Sequence, residues 1–298
     1  MAENLIIGGA SNYTWDHLKY WVNSIRKSGF KGDVVLVATN ISKETIQKLT
    51  EEGVQLSLYG EKQDDGSFVA HSNGAPHVER FFYIWNHLAN MKKYKNVIIT
   101  DTRDVIFQYD PVKWLEDNLI AHFMVCSSEG LLYVDEPWGN QNLLQAFGPF
   151  FHNKLKNNMI FNVGTIAGDH KYVEGFILTL FQLCINRPIP IVDQAVFNFM
   201  VNTQPYTNDI MFTNNSDEWA IQLGTTIEAV KAGKGDLGMI FEKDPAKYQA
   251  MYKDNQPIIG DDGIVRSSYG KEYAIVHQYD RIPHLKSMMM KLYGEDNV

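Results

Sequence analysis

The sequence predicts an α/β protein with a mostly parallel central sheet flanked by helices, folded as one domain over residues 1–298. Three observations predict it. Short apolar runs alternate with segments of helical periodicity, as in chains that return strand after strand to one sheet. The runs are continuously apolar, as strands covered on both faces must be. Glycines close the first helical segments, where a left-handed residue ends a helix at no steric cost.

Taken in order, NLIIGGAS reads as a buried strand that breaks at Gly8-Gly9, and TWDHLKYWVNSIRKSGF as a helix ending at Gly29. DVVLVAT is a second strand, SKETIQKLTEEG a helix with its own glycine stop, and VQLSLYG a third strand. Residues 61–76 form a polar, glycine-bearing loop suited to covering a site, before HVERFFYIWNHLANMKKY resumes helical spacing and leads to strand VIIT. Residues 121–126 predict another strand, 159–168 a pair of short strands with a turn, and 171–185 a helix. The polar, glycine-rich stretch 231–271 reads as a flexible excursion before the last strand, YAIVHQ. Met288–Met290 form the apolar face of a C-terminal helix, by core packing or by docking on a partner or membrane.

Composition narrows the function. A formal net charge of −8 argues against a broad basic surface for nucleic acid or anionic membrane, so any bound phosphate needs a local cation. Only Cys126 and Cys184 occur, both in apolar surroundings, which argues against a disulfide framework or cysteine metal site and fits a reducing, cytoplasmic location. MAENLIIGGAS lacks the basic flank of a leader, and no run approaches the roughly 18–20 apolar residues of a spanning helix, so membrane contact is expected to be peripheral at most.

VIIT ends in Asp101-Thr102-Arg103-Asp104. In an open parallel sheet, ligands bind beyond the carboxyl ends of the strands, so these carboxylates stand where that architecture places chemistry. Two carboxylates there suit Mn²⁺ or Mg²⁺, hard cations that share oxygen ligands with phosphates. The competing reading is a tight turn in which Asp101 caps and Arg103 pairs with Asp104. YAIVHQYDRIP repeats the pattern with His277, whose imidazole is either a further ligand or a satisfied structural group.

These segments, in this order, resemble the nucleotide-sugar-dependent glycosyltransferases of the GT-A fold, in a pattern similar to family 8. The matching pieces are IIGGASNY at 6–13, Arg80 in HVERFFYIW, DTRDVIFQ at 101–108, FNVG at 161–164, DQAVFN at 193–198, and His277. The resemblance implies a nucleotide-binding half (1–110) and an acceptor-binding half with a metal-ligand segment (111–298). It implies a nucleoside-diphosphate sugar donor, a glycan or glycoconjugate acceptor, a Mn²⁺ or Mg²⁺ cofactor, and transfer with retention.

By the same resemblance, Asp101, Asp104 and His277 ligate the metal. Gly8, Gly9, Ala10, Asn12 and Tyr13 meet the nucleoside, the alternative for the glycines being a tight turn. Arg80 reaches the diphosphate or donor sugar and Arg281 the diphosphate, Thr102 and Arg103 are further donor-binding residues, and Arg80 is otherwise in a surface salt bridge to Glu79 or Asp104. Asn162 and Gly164 serve the donor sugar, and Asp193 and Gln194 face its reacting carbon. Asp193 also reads as a helix N-cap. Glu129, just beyond a strand, is a candidate for acceptor binding or for a base, and Trp138 either stacks on an acceptor or is buried or at an interface. His71 and His77 need only surface or loop positions. Two rival classes remain: a non-catalytic carbohydrate-binding protein on the same fold, and a sugar nucleotidyltransferase, which would need basic residues beside GGASNY.

Overall fold

The computed structural model describes residues 3–233 and 235–294; the ends of the expected 1–298 domain lie outside them. Its main sheet has eight strands. The order runs Ile210–Thr213, Met124–Leu132, Thr165–Asp169, Asn96–Thr100, Asn4–Ser11, Asp33–Thr39 and Gln55–Leu58, with Met159–Phe161 beside Met124–Leu132. Strands from Asn96–Thr100 outward to Gln55–Leu58 are parallel, whereas Thr165–Asp169 runs antiparallel to both its neighbours.

Alternate residues of one strand enter different cores. Leu5 and Ile7 pack on one face with Phe81, Ile84 and Val173, while Ile6 packs on the other with Leu18, Trp21 and Trp114. A sheet buried on both faces explains the unbroken apolar runs. The helix Trp15–Ser28 stops where Gly29 takes φ 83°, as its sequence predicts.

Several expectations are corrected. The first strand does not break at Gly8-Gly9 but continues to Ser11, in register with Leu36 and Val37 of the next strand. The strand expected at 121–126 is Met124–Leu132, so Glu129 lies within it and not beyond it. Residues 231–271 carry two helices, Asp236–Lys243 and Pro245–Met251, and a small hairpin between Ile258–Ile259 and Val265–Arg266. Asp244 starts the second of these helices by accepting from the Lys247 N–H at 3.0 Å, with Pro245 at the first turn.

A second, three-stranded sheet matters most for the site. Ile275–His277 runs between Ala220–Gln222, parallel to it, and Val105–Phe107, antiparallel. Its register sets His277 opposite both Gln222 and Val105. The C-terminal helix Pro283–Tyr293 packs with this sheet through Leu285 and Met289, while Met290 faces out.

Candidate active site

The site begins where Asn96–Thr100 ends. The Asp101 N–H donates to the Gly164 carbonyl at 2.9 Å, and the buried Thr102 hydroxyl donates to the Gly9 carbonyl at 3.1 Å, so the turn is pinned on both sides. Chain direction then reverses into Val105–Phe107, whose antiparallel partner ends at His277. The Gln278 N–H also donates to the Asp104 carbonyl at 2.7 Å. Two segments more than 170 residues apart in the sequence are thereby joined at their backbones.

The side chains converge accordingly. His277 Nε2 lies 3.4 Å from Asp101 Oδ2 and 3.5 Å from Asp104 Oδ1, and one donor atom from each of the three residues falls within 4.8 Å of the others. Asp104 and His277 are buried, and Asp101 is half-buried. The donor set of two carboxylates and one imidazole suits a divalent cation such as Mn²⁺.

The outer contacts fit that use. His277 Nδ1 sits 2.7 Å from Oε1 of the buried Gln222, whose Nε2 donates to Ser127 at 2.8 Å and Thr165 at 2.7 Å. With its nitrogen so occupied, Gln222 presents an oxygen to the ring, which therefore carries a proton on Nδ1 and turns Nε2 toward the carboxylates. Burial alone lowers the imidazole pKa, but Asp104 and Asp101 outweigh it and hold the ring up at about 10. A cation entering the site must displace the Nε2 proton.

Arg80 projects from the second turn of the helix Pro76–Asn90. It pairs with Asp101 and, through Nη2 at 3.1 Å, with Asp193, and so is no surface pair to Glu79 or Asp104. Burial raises the Asp101 pKa, yet Arg80 and His277 more than compensate and hold it below the usual carboxylate range. Asp193 moves the other way: burial raises it, Arg80 opposes, and repulsion from Asp101 adds to the rise. Asp193 is not the expected N-cap. Val192 holds that position, and Asp193 is the first residue of the helix Asp193–Val201, with no side-chain cap there.

Beside it, one oxygen of the buried Glu129 accepts from Asn162 Nδ2 and from Gln194 Nε2, both at 2.7 Å. The other Asn162 atom accepts from the Gly164 N–H at 2.7 Å. FNVG is thus a turn that aims Asn162 at Glu129. A Cβ on Gly164 would lie 2.7 Å from Asp101 Oδ2, so that glycine makes room for a proposed ligand.

These groups share one cavity of ≈ 740 Å³. Its wall includes Gly9, Tyr13, Arg80, Thr102, Arg103 and Arg281 as well as Asp101, Asp104 and His277. Glu129, Asn162, Asp193 and Gln194 complete the set that the sequence singles out. Ala10 borders an adjoining hollow of ≈ 70 Å³ with Val37, Thr39 and Tyr83. Gly8 and Asn12 line neither space. A Cβ on Gly8 would meet Thr102 at 2.2 Å and one on Gly9 would meet Arg80 at 2.8 Å, so this pair admits neighbouring side chains and makes no tight turn.

Sequence reasoning missed several wall residues. His77 lines both spaces from the first turn of its helix, not from a loop; Trp138, named from the sequence as a candidate acceptor platform, is not buried but 47% exposed on the wall. Glu136, Asp236 and the supporting Gln222 were also missed. Only Glu136 had a local signal, because Glu-Pro opening an apolar segment marks a helix start.

No family model matches the chain, and no curated protein matches it in sequence. Solved structures match in fold. The apo structure of WbbM, described as a bifunctional glycosyltransferase, superposes with a TM-score of 0.60 at 13% identity over 99% of this chain and 50% of that one. The galactosyltransferase LgtC, solved with donor and acceptor sugar analogues, gives 0.58 at 13% identity over 99% and 97%. Apo GlyE, a glycosyltransferase of Streptococcus pneumoniae TIGR4, gives 0.50 at 12% identity over 93% and 55%. The chain thus spans about half of WbbM and nearly all of LgtC, and its fold is the GT-A fold expected from the sequence.

Proposed function

We propose that the protein is a metal-dependent glycosyltransferase that moves a sugar from a nucleoside-diphosphate sugar to an acceptor hydroxyl on a glycan or glycoconjugate. The observation that carries this reading is the meeting of Asp101, Asp104 and His277 at the carboxyl edge of the sheet, at one wall of the large cavity. The fold shared with glycosyltransferase structures supports it.

Asp101, Asp104 and His277 would hold a divalent cation, which when bound would supply positive charge against the departing diphosphate. The protein's own groups do the rest. Arg103 and Arg281, both half-exposed on the same wall, meet the phosphates, as bidentate donors matched to their oxygens. The nucleoside occupies the edge near Gly9, Ala10 and Tyr13, in the half formed by residues 1–110. Arg80 holds the Asp193 carboxylate toward the donor sugar, and Asn162 and Gln194 fix Glu129 beside it. We assign retention of configuration, with Asp193 and Gln194 at the reacting carbon. The acceptor enters along residues 111–298.

Among the described residues no helix is long and apolar enough to cross a membrane, and both cysteines are free and buried. We place the protein in the cytoplasm, with any membrane contact peripheral. The test is nucleotide release from a panel of UDP-, GDP- and TDP-sugars with Mn²⁺. We expect slow metal-dependent release from at least one donor, absent with chelator and in Asp104→Ala. Stabilisation by glycans with no release from any donor would replace the transferase with a carbohydrate-binding protein.

A further inference from the structure

The cavity wall is electrostatically divided. Its arginines, Arg80, Arg103 and Arg281, stand by the proposed metal ligands, Asp193 or Asp280. Elsewhere the wall includes the acidic Glu129, Glu136 and Asp236 and the apolar Trp138, Ile191 and Leu237. Both oxygens of Glu136 accept helix N–H groups, from Trp138 at 3.3 Å and from Gly139, so the carboxylate anchors the turn that carries the indole. A Cβ on Gly139 would lie 2.7 Å from Glu136 Oε2, so the glycine admits this cap. The indole itself stays 47% exposed, and Ile191 is 41% exposed. Glu129 differs: its side chain is buried, its two amide donors reach one oxygen, and the second oxygen has no donor among the described residues. Burial raises the Glu136 pKa against the Gly139 and Trp138 N–H groups, and Glu129 and Asp236 add to the rise.

We infer that this wall selects an uncharged pyranose as acceptor, stacked on Trp138 with a hydroxyl donated to the open oxygen of Glu129, and that it rejects sugars bearing a carboxylate or phosphate. The inference rests on the transferase reading and names its acceptor class. A pyranose offers an apolar face of C–H groups to an indole, and its hydroxyls are donors that a carboxyl oxygen accepts. An anionic sugar would meet three acidic side chains with no counter-charge beside them among the described residues, which is rejection by like charge.

The test is ligand binding by saturation-transfer NMR with the full chain, UDP and Mg²⁺, comparing methyl β-glucopyranoside, methyl β-galactopyranoside and methyl β-glucuronide. The glucoside and glucuronide differ only at C6. We expect at least one neutral glycoside to receive saturation at least about fivefold above the glucuronide. That signal should vanish in Trp138→Ala and return in Trp138→Phe. Equal or stronger signal from the glucuronide, no signal from either neutral sugar, or a signal indifferent to Trp138→Ala would overturn the inference. Thermal stabilisation by UDP and Mg²⁺ is read in the same samples, so failure of donor-side binding is seen separately from failure of acceptor choice.

Discussion

His277 Nδ1 lies 2.7 Å from Gln222 Oε1, across two strands of three residues each that the sequence separates by 55 positions. Gln222 holds the tautomer in which Nε2 can act as a ligand. Gln222→Ala should therefore weaken Mn²⁺ binding about 10–100-fold, the usual cost of losing such a partner, while Asp101 and Asp104 remain in place. Isothermal titration of Mn²⁺ into wild type and variant checks this; unchanged affinity would show that Gln222 only fills space.

Arg80 is expected to matter for stability as well as for turnover. It is the cation that pairs both Asp101 and Asp193, and its side chain is 14% exposed. Arg80→Ala leaves the buried Asp193 carboxylate without its cation and the half-buried Asp101 with His277 alone, which costs about 3–5 kcal/mol for a broken buried pair. Urea unfolding measures the loss. Restoration of most of it by a second change, Asp193→Asn, would confirm that the cost lies in unpaired charge.

Gly164→Ala separates geometry from stability. The new Cβ presses on the end of the Asp101 side chain, which can swing aside, so unfolding free energy should fall by less than about 1 kcal/mol. The swing displaces a proposed ligand oxygen, so thermal stabilisation by Mn²⁺ should drop well below that of wild type. Full Mn²⁺ stabilisation in Gly164→Ala would contradict a ligand role for Asp101.

His87 gives a pH dependence unconnected with the site. Neither ring nitrogen has a partner, and burial lowers its pKa, with Asp33 opposing. A group depressed in the fold is neutral in both states above the unfolded value of about 6.5, and below it the unfolded chain alone takes the proton. Stability from this group is therefore lost as pH falls from about 6.5 toward the lower folded value. His87→Leu should flatten the fall in Tm between pH 7 and pH 5 and should not lower Tm at pH 7, since it removes two unsatisfied polar atoms. An unchanged slope would clear His87.

Much of this architecture is legible in the sequence because burial on both faces leaves a plain mark. NLIIGGAS, DVVLVAT and VIIT are unbroken apolar runs, and each is a strand. The metal candidates were legible through the order of DTRD and the late histidine, not through either motif alone. What escaped reading depends on register. Gln222 meets His277 through a pairing that no local pattern announces. Glu129 sits inside a strand because CSSEG, polar by composition, turns its carboxylate to amide donors from two other elements. The helices Asp236–Lys243 and Pro245–Met251 were masked by glycine and charge, although Asp244-Pro245 is a helix-start signal.

The central claim is that Asp101, Asp104 and His277 hold a single divalent ion. Electron spin-echo modulation of bound Mn²⁺ tests it most directly, since a coordinated imidazole imprints its nitrogen on the signal. The account predicts one Mn²⁺ per chain with a nitrogen modulation in wild type, loss of that modulation in His277→Ala, and loss of tight binding in Asp104→Ala. Tight Mn²⁺ binding without any nitrogen modulation in the wild-type protein, or with the modulation intact in His277→Ala, would contradict it.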